Sequence, residues 1–290
     1  MRMTELTDAE PRDRTIAVGT FDGVHVGHRD VIAGADTVLT FEPHPVAVIA
    51  PARMPRLLTP LALKADIIAS LGVQELIVVR FDAELAAQSP ERFISEVLVE
   101  RLHASAVSVG ENFRFGAGAK GDAALLAADG RFATRVVALR EIDGEIVSSS
   151  QIRSLIAAGE VGRAQTLLGD PFELRGEVVG GDRRGRELGF PTANLVPDPR
   201  VVCPGHGVYA CTANGVAAAV SIGVRPTFGA GRTELIEAFL LDFDGDLYGQ
   251  ELRVRFLERL RGEMRFDSAD ALIEEMHRDV ERTRAIAAGS

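Results

Sequence analysis

The glycine-rich stretch GGDRRGRELGFPTANL, residues 180–195, decides how the second half of the chain is expected to fold. Its glycines recur at every fourth position, at Gly181, Gly185 and Gly189. Because glycine tolerates backbone angles closed to other residues, such a loop can lay its N–H groups against an anionic ligand. The alternative is a glycine-rich β-hairpin with satisfied turn residues.

The residues that follow this loop are predicted to be extended. Pro191 fixes its own φ and favours an extended conformation at Phe190. Since side chains alternate along an extended chain, Thr192 and Asn194 should share one face. A hydroxyl and an amide behind a glycine loop suit a magnesium-bound triphosphate.

Short apolar runs separated by turn residues continue after residue 170: FELRGEVV, GVYACTA, AAAVSIG, ELIEAFLLD and LRVRFLE. Strands at this spacing predict an antiparallel β-barrel. A helical pattern begins at about Ser268. Residues 170–290 are therefore predicted to form a barrel domain with a C-terminal helix.

Glu237 is the most informative side chain of the predicted barrel. Strand alternation places it on the face of Leu235, Phe239 and Leu241. A carboxylate on an apolar face costs free energy unless it has a partner or a task, and partial burial makes it a better proton acceptor. The alternative is that Glu237 lies at the barrel mouth and reaches solvent or an arginine.

Strands alternate with helices from residue 14 to about 168, which predicts a parallel, doubly wound α/β sheet in residues 1–169. The buried strand RTIAVGTF leads into DGVHVGH, at the strand end where open α/β sheets bind ligands. His25 and His28 could stabilise charge on a transferring phosphoryl group. A metal site, or two structural histidines at a turn, are the alternatives, and the former has no third ligand nearby in sequence.

Two connections in this half make local predictions. Only residues 29–39 separate His28 from the next strand, near the minimum for a parallel crossover, so a truncated helix and a less firmly held histidine turn are expected. Thr59 followed by Pro60 predicts a capped helix start, and Gly72 its end.

Three polar residues in loops and at a helix start have ordinary structural explanations. Asn112 lies in a glycine-flanked turn, where asparagine usually bonds locally. Ser149 begins a predicted helix and would serve as a cap, and Arg153 one turn later would usually be solvated. Arginine geometry nevertheless suits bidentate phosphate contact.

Composition excludes several classes of function. The 290 residues are 46% hydrophobic, enough for two domains, and no run of 18 apolar residues predicts a membrane span. A net charge of −10 argues against nucleic acid as a main partner. No G-x-x-x-x-G-K-[ST] motif occurs, which argues against a P-loop kinase.

The cysteines and the leader point to a reduced, cytoplasmic setting. Cys203 and Cys211 form neither a disulfide framework nor a metal-ligand pattern. The charged leader MRMTELTDAEPRDR lacks the apolar region of a signal peptide.

Several motifs resemble one family, the bifunctional bacterial riboflavin kinase/FMN adenylyltransferases (FAD synthetases). VVGGDRRGRELGFPTANL is similar to the riboflavin kinase signature, and GTFDGVHVGH resembles the HxGH motif of nucleotidyltransferases. Further resemblances are carried by TFEPHP, GENFRFG, VSSSQIR, SIGVRPTFG, EAFLLD and DLYGQELRVRFLERLRGEMRFDS.

The resemblance implies a Rossmann-like nucleotidyltransferase domain before the barrel, and riboflavin, FMN, FAD, ATP and ADP as ligands with Mg²⁺. It implies that Glu237 is the base for the riboflavin 5′-hydroxyl, and that Thr192 and Asn194 lie at the Mg-ATP site. His25, His28, Asn112, Ser149 and Arg153 would serve adenylyl transfer. Two alternatives stay open: a kinase with a weak or inactive first domain, and a non-catalytic flavin-nucleotide binder.

Overall fold

The computed structural model describes residues 1–180, 190–225 and 233–289. Gly181, Gly185 and Gly189, predicted to bind phosphate, lie outside the described residues. The chain separates into two compact units, Met1–Ser149 and Ser150–Ser290.

The first unit is built on a six-stranded parallel sheet in the order β1-β4-β3-β2-β5-β8, as the sequence predicts. The two central strands are almost wholly buried, which is usual for a parallel sheet covered on both faces. The strands of this unit are β1 Arg2–Glu5, β2 Arg14–Val18, β3 Thr37–Glu42, β4 Glu75–Arg80, β5 Ala104–Gly110, β6 Arg114–Phe115, β7 Gly121–Asp122, β8 Ala133–Val137, β9 Glu141–Ile142 and β10 Glu145–Ile146.

Helices cover the sheet, and most of them are short. They are α1 Val26–Ile32, α2 Pro45–Ile49, α3 Leu61–Ser70, α4 Ala83–Ala87, α5 Pro90–Arg92 and α6 Ala123–Ala128. Helix α7, Ser149–Ala158, begins at the last residue of this unit and continues in the second. Three short 3₁₀ turns occur at Leu6–Asp8, Pro51–Arg53 and Ala117–Ala119. The truncated helix expected after the histidines is α1, which has seven residues.

Two local predictions differ from the structure. The charged leader contains an edge strand, β1, because its arginines find a partner in buried Glu75. The helix expected from Thr59 has Pro60 as its N-cap residue. The Thr59 hydroxyl instead accepts a hydrogen bond from the Gly23 N–H at 2.9 Å.

The helical segment that follows Ser89 changes its geometry along its length. The Ser89 hydroxyl caps α5 by accepting from the Arg92 N–H. The chain then continues as a π-helix over Phe93–Arg101, a change that apolar periodicity cannot distinguish from a regular helix.

The second unit contains a closed antiparallel barrel in the order β11-β12-β15-β14-β13-β16, which confirms the predicted architecture. Its strands are β11 Phe172–Val179, β12 Ala193–Pro197, β13 Gly207–Ala213, β14 Val216–Arg225, β15 Thr233–Leu240 and β16 Glu251–Arg261. Helix α8, Val161–Leu168, packs on β11 and β16. The C-terminal helix α9, Ala269–Ala288, is capped by the Ser268 hydroxyl and packs on β13, β14 and β16.

Candidate active sites

The turn between β2 and α1 has a strained backbone. Phe21 and Val24 have φ angles of 48° and 41°, in the left-handed region that L-residues avoid. Gly23 between them has φ of 89°, which glycine adopts without penalty. Such strain persists only where surrounding contacts over-determine the conformation, and it clusters at functional sites.

Hydrogen bonds to Asp22 supply those contacts. This residue is 1% exposed, and its carboxylate accepts from the backbone N–H groups of Leu58 and Thr59 at 2.9 and 3.0 Å. The Asp22 carbonyl oxygen accepts from the Ser149 hydroxyl at 2.8 Å. The turn is therefore tied both to the start of α3 and to the predicted site residue Ser149.

The two predicted imidazoles come together directly after this turn. His25 is the N-cap residue of α1, and its Nδ1 accepts from the His28 N–H at 3.3 Å. The two rings stack with centroids 3.5 Å apart and planes 17° apart. The Phe21 ring meets His28 edge-on at 5.4 Å. One short helix therefore presents both rings at the carboxyl edge of the sheet.

Burial keeps both imidazoles neutral. It lowers the pKa of His25 to about 4. Burial, together with the neighbouring His25 and Lys64, lowers the pKa of His28 well below its ordinary value. The Nδ1 atom of His28 is buried and has no hydrogen-bond partner among the described residues. Because a neutral ring still carries one N–H, this pair can donate to phosphoryl oxygens at pH 7.

Lys64 is a buried cation near the histidines that the sequence analysis did not single out. Its ammonium donates to the Thr20 carbonyl oxygen at 2.7 Å and lies 3.5 Å from the Thr40 hydroxyl. Burial lowers the pKa of Lys64, whereas Asp22 and Glu42 act to raise it. The available signal was a lysine within the apolar run LALKADII, since lysine is seldom buried without a purpose.

An aromatic cleft opens at the same edge of the sheet. Its volume is about 520 Å³, and it is lined by Thr20, Phe41, Pro45, Val48, Ile49, Phe81, Ala83, Leu85, Ala86, Ala87, Phe93, Phe113, Arg114, Phe115, Gly116, Gly118 and Ala119. Predicted Asn112 is exposed and directly precedes two of these residues. A flat aromatic ligand with an anionic tail fits a cleft of this composition.

Arg153 lies one turn into α7, on the part of that helix that belongs to the second compact unit. Its contact with ATP phosphates stays a prediction.

In the barrel, Asn194 on β12 lies directly opposite Glu237 on β15. Ile236, Ala238 and Leu240 are buried, so Glu237 shares the other face of the strand with half-buried Leu235 and Phe239, as predicted. Leu241, which was predicted on the same face, lies beyond the end of β15. Asn194 is 8% exposed.

Ser221 on β14 faces Glu237 from the other side, so the three polar residues form a row across three strands. The sequence analysis missed Ser221, because strand pairing is a long-range property.

Aromatic rings cover part of the β15 face that carries Glu237. Phe190 meets Phe239 edge-on at 5.3 Å and His277 of α9 at 5.1 Å. This packing removes water from around the strand that carries the carboxylate.

Thr192 lines a cavity of about 310 Å³ that Ala238 and Leu240 of β15 also line, on the strand face opposite to that of Glu237. The opposite wall carries Phe243 and Tyr248, which are 39% and 54% exposed. The prediction that Thr192 and Asn194 share one face is therefore not met. Thr192 precedes β12 and lines this cavity, whereas Asn194 lies within β12 opposite Glu237 and is not part of the cavity lining. Exposed rings beside a hydroxyl suit a purine nucleotide.

The oxygen-bearing side chains of the barrel, Thr192 with Asp244 and Asp246 at the cavity and Glu237 on β15, are of the type that magnesium prefers. Mg²⁺ prefers oxygen ligands and is usually held by one or two protein groups together with substrate phosphates and water. In residues 1–180, 190–225 and 233–289 no group of three or more His, Cys, Asp or Glu side chains is arranged to hold a metal ion. Thr192, and separately Asn194 with Glu237, carry oxygen atoms of the kind that can hold a phosphate-borne ion.

A parallel sheet with paired imidazoles, followed by a barrel in which buried Asn194 lies opposite half-buried Glu237, is typical of a two-domain transferase of phosphate-containing groups. Residues 7–151 match the FAD synthetase family, and residues 168–287 match the riboflavin kinase family. The chain belongs to the bifunctional riboflavin kinase/FMN adenylyltransferase family.

Curated relatives of that name support this assignment. The protein from Listeria monocytogenes is 37% identical, over 94% of this chain and 92% of its own. The Escherichia coli K12 protein is 38% identical, over 94% of this chain and 93% of its own. A crystal structure described as a macrolide-efflux protein from Streptococcus pneumoniae has a TM-score of 0.89 and 29% identity, covering 98% of this chain and 99% of that one.

The helices within the described residues all lack the length and apolarity needed to cross a bilayer.

Proposed function

We propose that this chain phosphorylates riboflavin to FMN with ATP, and adenylylates FMN to FAD with release of pyrophosphate. Residues 170–290 form the kinase domain and residues 1–169 the adenylyltransferase domain. The protein works in the cytoplasm, a setting that suits its two buried free cysteines, Cys203 and Cys211.

In the kinase site, Glu237 accepts the proton of the riboflavin 5′-hydroxyl as that oxygen attacks the γ-phosphate of ATP; the bond to the bridging oxygen breaks and ADP leaves. The half-buried position of Glu237, directly opposite Asn194 on the neighbouring strand, supports this role. Thr192 and Asn194 bind the phosphates, covered by the loop that contains Gly181, Gly185 and Gly189. Mg²⁺, held through Thr192, supplies charge neutralisation when bound; positioning and neutralisation dominate such transfers.

In the adenylyltransferase site, an FMN phosphate oxygen attacks the α-phosphate of ATP, and pyrophosphate leaves. His25 and His28 donate hydrogen bonds to the phosphoryl oxygens on which negative charge develops. Ser149 and Arg153 bind the ATP phosphates. Asn112 and the aromatic cleft bind the flavin nucleotide.

The stacked His25–His28 pair beside the aromatic cleft carries the proposal, because it favours two activities over a kinase with an inactive first domain. Neither residue is needed for binding a flavin in the barrel. A non-catalytic binder would likewise have no use for Glu237 opposite Asn194.

One incubation separates the candidate functions. The full chain is mixed with riboflavin, ATP and Mg²⁺, and the flavins are separated by chromatography. FMN followed by FAD supports the proposal, FMN alone supports a kinase only, and neither product indicates a binder. Replacing His28 by Ala should abolish FAD formation and leave FMN formation intact, which serves as the internal control.

A further inference from the structure

The short helix α1 makes few hydrogen bonds within itself. It comprises only seven residues, and Gly34 with φ of 80° turns the chain two residues after its end. The last carbonyl groups of any helix lack partners within the helix. In a helix of about 10 Å, these end groups are a large share of all its carbonyls.

A guanidinium from β8 meets these end groups. The Nη2 atom of Arg135 lies 2.8, 2.9 and 2.7 Å from the carbonyl oxygens of Asp30, Val31 and Ala33, which share its two hydrogens. Positive charge is also favourable at the negative end of a helix dipole.

A second side chain completes this arrangement. Ser108 on β5 is the direct neighbour of Arg135 in the parallel pairing of β5 with β8. Its hydroxyl donates to the Val31 carbonyl oxygen at 2.7 Å and accepts from the Arg135 Nε at 3.2 Å. Two adjacent sheet residues therefore hydrogen-bond to the C-terminal carbonyl groups of α1, and we call them the Ser108–Arg135 clamp.

The opposite end of α1 carries the imidazoles. His25 is its N-cap residue and His28 lies in its first turn. A rigid helix this short transmits any displacement of its last turn to its first. Catalytic groups misplaced by about 1 Å can cost a hundredfold in rate.

We propose that Arg135, supported by Ser108, is a positioning residue for adenylyl transfer, because the Ser108–Arg135 clamp compensates for the short crossover after the histidines. This inference rests on the proposed adenylyltransferase activity. The short crossover predicted a weakly held histidine turn. The Ser108–Arg135 clamp compensates for this, because its hydrogen bonds come from the sheet and do not depend on the length of the helix.

The test compares Arg135→Met with Arg131→Met in the full chain. Arg131 is an exposed arginine of the same unit that bonds Asp129 and Ser95 and does not contact α1. The Arg135 variant should lose about ten- to a hundredfold in kcat for FAD formation. Its riboflavin kinase rate should be unchanged, and the Arg131 variant should match wild type in both reactions. Arg135→Lys, which keeps a cation at the carbonyls, should recover part of the loss.

A spectroscopic readout distinguishes positioning from general damage. Rings stacked at 3.5 Å shield each other, so the NMR signals of His25 and His28 should move downfield in Arg135→Met and stay in place in Arg131→Met. Wild-type FAD output combined with unmoved signals would overturn the inference.

Two further outcomes are also decisive. If Arg135→Met does not fold, Ser108→Ala replaces it, and full adenylylation with unmoved imidazole signals would overturn the inference. If wild type itself makes no FAD, the proposed adenylyltransferase activity is wrong. The positioning role of the Ser108–Arg135 clamp is then tested by the imidazole signals alone: a downfield shift in Arg135→Met supports it, and unmoved signals overturn it.

Discussion

Asn194 and Glu237 face each other across two antiparallel strands of the barrel, and Asn194 is almost fully buried. Side chains in such directly opposed positions have Cβ atoms about 5 Å apart. An amide beside a carboxylate can donate to one of its oxygens and leave the other to accept a substrate proton. This relationship makes Glu237 the strongest candidate base of the kinase site.

Replacing Glu237 by Gln should lower the kcat of riboflavin phosphorylation by about 10²–10⁴-fold, the usual contribution of a general base. The amide keeps the size of the side chain but cannot take the proton. Adenylylation of supplied FMN should remain near the wild-type rate. Both rates are measured by separating FMN and FAD after incubation with ATP.

The matched control is Glu234→Gln on the same strand, three residues earlier, which should not change either rate. Equal loss of both activities in the Glu237 variant would contradict separate sites.

The aromatic cleft of the first unit predicts a selective binding defect. Phe81→Ala removes one ring of its lining, so KM for FMN in adenylylation should rise about ten- to a hundredfold, as expected for losing a large buried ring contact. Riboflavin phosphorylation should be unaffected. The reciprocal variant is Phe243→Ala, in the cavity that Thr192 lines. It should lower the rate of riboflavin phosphorylation and leave adenylylation of FMN unchanged. The same pattern of defects in both variants would refute the assignment of the two cavities.

The low pKa of His25, about 4, predicts a loss of stability in acid. A histidine in the unfolded chain titrates near pH 6.5. The contribution of neutral His25 to the free energy of unfolding is therefore complete above that pH and is lost as the pH falls towards 4. Between pH 7 and 5 the loss should be about 2 kcal/mol. Hydrogen exchange of the β2 amides at these pH values measures it locally.

His25→Asn is the comparison, because asparagine can keep the N-cap hydrogen bond without titrating. Between pH 7 and pH 5 this variant should lose about 2 kcal/mol less stability than wild type. An NMR titration of His25 with a midpoint near 6.5 would disprove the buried neutral state.

A buried ion cluster in the first unit predicts a large effect on the free energy of unfolding. Glu75 is 2% exposed and accepts from Arg2, Arg12 and Arg14, the last fully buried. Burial alone would raise the pKa of Glu75, but these hydrogen bonds outweigh it and lower the pKa to about 2. Glu75→Gln should therefore cost about 3–5 kcal/mol in unfolding free energy, since it leaves buried charge unpaired.

Glu10→Gln provides the control for that measurement. Glu10 pairs with Arg2 on the surface, so its loss should cost no more than about 1 kcal/mol in chemical denaturation. A similar small cost for Glu75→Gln would show that the cluster is not needed for stability.

Local pattern was sufficient to predict the parallel sheet, the barrel and the strand face that Glu237 occupies. The spacing of His25 and His28 also indicated that both rings lie near one helix start. What the sequence could not show depends on pairing between distant segments. The Ser108–Arg135 clamp needs β5 beside β8, and the row that adds Ser221 to Glu237 needs the barrel to close.

The edge strand β1 was missed for a related reason. Its run of charged residues is typical of a solvated leader until Glu75, far along the chain, is known to lie within reach. The π-helix over Phe93–Arg101 escaped prediction because its apolar pattern also suits an α-helix.

The pairing of Arg2 with Glu75 also has a consequence for biogenesis. Strand β4 emerges from the ribosome some seventy residues after its neighbour β1. At roughly 5–20 residues per second, translation leaves that first strand without its partner for several seconds. Nascent chains of this protein must therefore carry an unsatisfied strand edge, and slowing translation between the two strands should lengthen their exposure to chaperones and to misassembly.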